Sequence, residues 1–182
     1  MKTQIKADFT DVFAKLNGLE QAAKEHLPRS MAVAGGTVIR DEAKARAPVF
    51  DGSTALTSGK NKDRPPVPGL LRDAIYLAFA DKRSALSIGL ATYSVAWNAA
   101  KAPHGHLIEF GHWRINKIMK DKDGNWHPTK ERLSAPKWVP AVPFLRPAYE
   151  AVGQRAVQAM LDRGQVRLAE IMANPESLKA YK

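Results

Sequence analysis

The sequence predicts an α+β fold: a small antiparallel β-sheet packed against N-terminal helices and a long C-terminal helix, with a long loop and a protruding β-hairpin. Three observations predict it. Apolar residues recur at helical spacing at both ends of the chain. The middle carries strand-like alternation punctuated by turn signals. Proline- and glycine-rich stretches separate these parts.

The first helix rests on Phe9, Val12, Phe13, Leu16 and Leu19, with Asp8 or Thr10 as its cap and Gly18 weakening its end. A second helix starts at Pro28, a residue suited to a first turn, and runs through Met31, Val38, Ile39 and Ala43 to Ala47. Pro48 stops it, because the residue before a proline is pushed out of helical geometry. Gly35 and Gly36 interrupt this helix, at about 1 kcal/mol each, and mark close packing or a kink. Residues 48–69, with four prolines and three glycines, read as a flexible loop.

After a short turn from Leu70, a strand is expected at Ile75–Phe79, followed by a hairpin-like turn at Asp81–Ser84. Ala85–Ala91 alternates with Leu86, Ile88 and Leu90 on one face, which predicts a second strand that Tyr93–Trp97 extends. Ala102–Phe110 reads as a short helix. Residues 113–135 read as a hairpin extension around Asp121-Lys122-Asp123-Gly124-Asn125, a strong turn signal. Ala135–Pro147 is extended, with prolines at 136, 140, 143 and 147. The final helix runs from about Pro147 to Ala173 on Ala148, Val152, Ala156, Met160, Leu168 and Ile171. One domain over 1–173 and a loose tail over 174–182 follow from this layout.

Composition narrows function. Hydrophobic residues are 45% of 182, enough for a core, and no run approaches the ~18 apolar residues of a membrane span. The N-terminus lacks an apolar stretch of signal-peptide length, so a soluble protein is expected. Without cysteine there is neither a disulfide framework nor a thiolate metal site. The net charge of +10 is spread along the chain, with a mild maximum over 101–145, where eight basic residues meet four acidic ones. A dedicated nucleic-acid domain concentrates its charge more.

The most informative stretch is Ala102–Trp113. His104, His106, Glu109 and His112 are all possible metal ligands. On a helix, His106, Glu109 and His112 share a face, while His104 diverges. The two-histidine zinc signature, with histidines four apart and glutamate beside the first, is absent. Gly105 and Gly111 disfavour one regular helix through all four positions. The blander reading has Glu109 capping a helix or pairing with a nearby cation and the histidines as polar surface. It is the one adopted, with no metal, cofactor or catalytic residue assigned. No serine sits in a Gly-x-Ser-x-Gly elbow, no carboxylate pair stands out, and no phosphate-binding glycine loop occurs, so no enzymatic activity is expected.

Trp113, Trp126, His127 and Trp138 interleave with Arg114, Lys117, Lys120, Lys122, Lys130 and Arg132. That pattern suits stacking on nucleic acid. It suits a protein interface at least as well, since aromatics and arginine are enriched there.

Four segments in succession carry a family resemblance: Ile39-Arg40-Asp41-Glu42-Ala43-Lys44-Ala45-Arg46-Ala47-Pro48-Val49; Gly69-Leu70-Leu71-Arg72-Asp73-Ala74-Ile75; His106-Leu107-Ile108-Glu109-Phe110-Gly111; and Pro140-Ala141-Val142-Pro143-Phe144-Leu145-Arg146-Pro147-Ala148-Tyr149-Glu150. Over roughly residues 30–160 the chain resembles the tail-completion, or neck, proteins of long-tailed bacteriophages, also described as minor tail components or head–tail joining proteins. It departs from them in having His112-Trp113 where threonine commonly follows Glu-Phe-Gly, and in a longer insertion from Trp113 to Ser134.

The resemblance implies a structural virion protein, made in the host cytoplasm, that completes the tail and helps join it to the head. It implies a homo-oligomeric ring, a hexamer by the symmetry of tail tubes. Its neighbours would be tail-terminator, tail-tube and head-closure or connector proteins, with DNA passing nearby and no membrane. Ile108, Phe110, Phe144 and Leu145 are expected in the core around Gly111. Pro143 and Pro147 fix the entry to the last helix, and Glu109 pairs with Arg146. Glu109, Trp113, Arg114, Lys117, Trp126, Trp138 and Arg146 are the candidate assembly residues. The competing expectations are a DNA-binding accessory protein of phage assembly and a metal-dependent hydrolase using His106, Glu109 and His112.

Overall fold

The computed structural model of the chain describes residues 10–49, 67–120, 122 and 126–174. Its elements are α1 (Thr10–Arg46), α2 (Leu70–Ala74), β1 (Ile75–Phe79), β2 (Tyr93–Trp97), α3 (Gly105–Phe110), β3 (His112–Lys120), β4 (Trp126–Val139) and α4 (Leu145–Ala173). The fold is α+β: β1 pairs with β2 and β3 with β4, in two separate two-stranded sheets, alongside the helices. The expected loop is described only at its ends. Its 50–66 stretch, the tail beyond Asn174 and most of the 121–125 turn lie outside the described residues.

The residues group into two compact units, Met1–Val38 with Leu77–Ser94 and Gln154–Lys182, and Ile39–Tyr76 with Val95–Gly153. In the second unit the core gathers Ala43 and Ala47 of α1, Leu71 and Ala74 of α2, Ile75, Ala102, Phe144 and Ala148. Val95, Trp97, Ile108 and Leu145 pack against it. The Trp97 and Phe144 rings meet edge-to-face at 6.0 Å, a favoured aromatic geometry. Gly105 lies under the Trp97 indole, where a β-carbon has no room.

In the first unit α1 and α4 approach closely. A β-carbon on Gly35 would stand 2.5 Å from Met160 Cγ and 3.0 Å from the Ala156 carbonyl oxygen, and one on Gly36 would stand 2.6 Å from Leu77. Close packing, rather than a kink, is therefore what the Gly35-Gly36 pair serves. The opposite wall carries the same logic, since Gly164 is buried against Met31.

Three elements differ from the sequence reading. The two expected N-terminal helices are one helix of 37 residues with Pro28 inside it. Proline there has no N–H for the Lys24 carbonyl and costs about 3 kcal/mol. The other backbone bonds and the packing of the turns after it, with Arg29 over Phe79 and Met31 against Gly164, outweigh that loss. The second difference is at 85–91, where the expected strand is a 3₁₀ turn over Leu86–Ile88. Gly89 takes the left-handed conformation at φ 77°, and Ala85 and Leu90 exchange both backbone hydrogen bonds at 2.8 and 3.0 Å. That closes a tight loop and leaves Ile88 77% exposed, so the alternation of Leu86, Ile88 and Leu90 faces no core. β2 is instead Tyr93–Trp97, bracketed by the Ala80 N–H to Thr92 and Asn98 N–H to Ala74 bonds at its two ends. The third is α4, which begins at Leu145, two residues before Pro147. It buries Gly164 and Arg167, while Leu168 is exposed.

Candidate assembly interface

The Glu-Phe-Gly segment and the Pro-Phe-Leu segment, over thirty positions apart, meet through one side chain. Glu109, on α3 and only 7% exposed, accepts hydrogen bonds from the backbone N–H groups of Phe144 (2.7 Å), Leu145 (3.1 Å) and Arg146 (3.3 Å). These are the amides that a helix start leaves without intrahelical partners. The fourth such position is Pro147, which has no N–H. Glu109 and Pro147 therefore account for the whole start of α4, and the carboxylate also faces the positive end of the helix. The Val142 N–H to Ile108 carbonyl bond, 2.8 Å, ties the approach to α4 back to α3.

Arg146 is thus a partner of Glu109 through its backbone amide, and the expected side-chain pair is not formed. The Arg146 guanidinium is exposed and lies 4.0 Å from Glu150, one turn along α4. Phe110, expected in the core, is 69% exposed. On a six-residue helix Ile108 and Glu109 already occupy the inward face, and Phe110 turns away. Pro143 is half-buried, and Phe144 and Leu145 pack in the core as expected.

Gly111 ends α3 at φ 73°, ψ 174°, a conformation reserved for glycine. A β-carbon there would meet Trp138 at 2.7 Å, the Val139 carbonyl at 2.8 Å and the Ala141 nitrogen at 2.9 Å. This turn launches the β3–β4 ribbon.

The ribbon is the expected hairpin, with its ladder reaching Val139 rather than stopping at 135. His112, Trp113 and Arg114 pair with Val139, Trp138 and Lys137, and the far end pairs Ile118, Met119 and Lys120 with Pro128, His127 and Trp126. Between these stretches, on either side of the Asn116–Arg132 pair, the register shifts twice, as extra β4 residues bulge out. Lys117 forms an ion pair with Glu131 at 2.9 Å, and its carbonyl accepts the Thr129 hydroxyl at 3.0 Å.

At the base Trp113 and Trp138 stand edge-to-face at 5.2 Å, both exposed. Arg114 is half-buried, with its Nε lacking a hydrogen-bond partner. From Ile115 to Lys120 every residue of β3 is exposed, so neither face of the strand is covered. Ile115, Ile118 and Met119 are among them. Trp126 lies opposite Lys120 at the far end of the ladder.

The four possible ligands do not converge. Glu109 uses both oxygens on backbone amides, and among the described residues no three His, Asp or Glu groups come together to hold an ion. Partial burial of the imidazole, with His106 beside it, holds His104 below the ordinary histidine value. No described helix is long and apolar enough to cross a membrane. Comparison with protein-family models, curated proteins and solved structures found no match.

Sequence reasoning missed a second polar cluster. Arg163 donates to Ser30 at 2.8 Å and to Glu170 at 3.0 Å, and Arg167 to Glu170 at 2.6 Å. Positions 163, 167 and 170 share one face of α4, a spacing visible in the sequence. That this face meets α1 at Ser30 is not.

Proposed function

We propose that this protein is a structural component of the neck of a long-tailed bacteriophage. It completes the tail and helps join it to the head as one subunit of an oligomeric ring, a hexamer by the symmetry of tail tubes. The observation that carries the reading is the β3–β4 ribbon. An isolated two-stranded ribbon is at best marginal in water. This one leaves Trp113, Ile115, Ile118, Met119 and Trp138 exposed. Such a projection gains its stability on a neighbour, and a head-to-tail contact of this kind closes a ring. The order of the four motifs supports the same reading. Tail-terminator, tail-tube and head-closure proteins are the neighbours it implies. The role is assembly, without catalysis.

Electron microscopy of particles from a phage lacking this gene tests the role. Filled heads and separate, unjoined tails are expected, and normal joined virions would refute it. Deleting residues 115–132 tests the ribbon itself, and full infectivity of that phage would remove the ribbon from the assembly role.

A DNA-binding accessory role is the second reading. It is favoured by the exposed cations Lys120, Lys122, Lys130, Arg132 and Lys137 along the ribbon. It predicts DNA affinity that falls steeply, log against log, with salt.

A further inference from the structure

Within the first unit a groove of about 450 Å³ is lined from α1 by Glu25, His26, Arg29 and Ser30 and from α4 by Arg163 and Arg167. Two of its arginines are already held. Arg163 and Arg167 share the single carboxylate of Glu170, whose acidity they strengthen, and Arg163 also bonds Ser30. Arg29 is different. Its guanidinium carbon lies 4.4 Å over the Phe79 ring, and its Nε is buried without a hydrogen-bond partner. A buried cationic donor with no acceptor is costly. Three guanidiniums against the carboxylates of Glu25 and Glu170 leave one positive charge unbalanced, counting His26 as neutral.

We infer that this groove binds an oxyanion, phosphate or carboxylate, with Arg29 as its principal ligand. The guanidinium fork matches two oxygens of either group. Stacking on Phe79 holds the fork in place without using its donors. The Ser30–Arg163–Glu170 chain fixes the opposite wall, and Val33 and Ala34 leave an apolar edge for whatever carries the anion. The site is remote in sequence from the ribbon and does not rest on the neck reading.

The test is titration of the full-length protein with inorganic phosphate, phenyl phosphate and glutarate. Arginine Nε–Hε NMR resonances and calorimetry give the readout. A saturable, single-site shift of the Arg29 resonance is expected. R29Q should weaken binding at least about tenfold, the loss of a charge-assisted hydrogen bond. K82Q, which removes the same charge from an exposed turn, should change it less than about twofold. R29K keeps the cation over Phe79 but not the fork, and should fall between the two with an unchanged circular dichroism spectrum. Tighter binding of the phosphates assigns the site to a phosphoryl group, and tighter glutarate binding to a carboxylate. The inference is overturned if no probe saturates, if R29K binds like the parent, or if K82Q weakens binding as much as R29Q.

Discussion

Replacing Glu109 by glutamine removes one charge and one acceptor at a buried junction while keeping the side-chain volume. The carboxylate serves three amides, two through Oε2 and one through Oε1. In the glutamine variant one oxygen still accepts, but the other position becomes an NH₂ facing N–H groups. A hydrogen bond to a charged group contributes about 1.5–3 kcal/mol, and a carboxylate at a partly buried helix start up to ~2 kcal/mol. With one acceptor retained, the expected loss is about 2–4 kcal/mol. For a chain of this size each kcal/mol lowers Tm by roughly 2–4 °C, so the drop is about 4–16 °C. Thermal unfolding followed by circular dichroism at pH 7 measures it. E150Q is the control, because its exposed pair with Arg146 contributes at most ~1 kcal/mol. An E109Q protein melting within about 1 °C of the parent would refute the assignment of Glu109 as the cap that joins α3 to α4.

Three further predictions rest on separate parts of the molecule. G35A should destabilise by more than ~1 kcal/mol despite alanine's better helix propensity, since its β-carbon meets Met160 and the Ala156 backbone. G18A has nothing within 4 Å and should stabilise by about 0.5–1 kcal/mol, so equal shifts in urea midpoint would contradict the packing described. G111A combines a positive φ with contacts below 3 Å to Trp138 and the backbone, and should cost several kcal/mol, of order ~3; an unchanged denaturation midpoint would show that the turn is free to relax. Arg167 and Arg163 lower the Glu170 pKa from 4.5, so its folded value is depressed. Its contribution is present above pH 4.5 and is lost as pH falls through the lower folded value. The Tm difference between parent and E170Q should therefore shrink on acidification below that point, and a difference growing with acidity would reverse the assignment.

Much of the fold was legible because its signals are local. Ile75–Phe79 reads as a strand from its own residues and is one. Ala102–Phe110 and the stretch to Ala173 read as helices within a few positions. The Asp-Gly-Asn turn predicts a hairpin, and β3 and β4 pair on either side of it. Local signals failed where a distant contact outvoted them. Pro28 reads as a helix start, yet the helix runs through it because the turns that follow are packed. Leu86, Ile88 and Leu90 alternate like a strand, yet Gly89 closes a turn that exposes two of them.

The candidate site divides in the same way. That Glu109 caps a helix or pairs with a cation was readable from its type and neighbours. Which amides it meets was not, because they lie 35 to 37 positions away. The sequence by itself determined most of the element types, the glycine at the ribbon's base and the lack of any thiol chemistry, since these depend on residue identity and short-range backbone preference. Only the tertiary structure decided that Glu109 closes α4, that Phe110 faces outward and that Arg29, half-buried with its Nε enclosed, lines one groove with two other arginines. Those facts depend on which surfaces meet, and burial and pairing energies belong to both partners of a contact rather than to either segment alone.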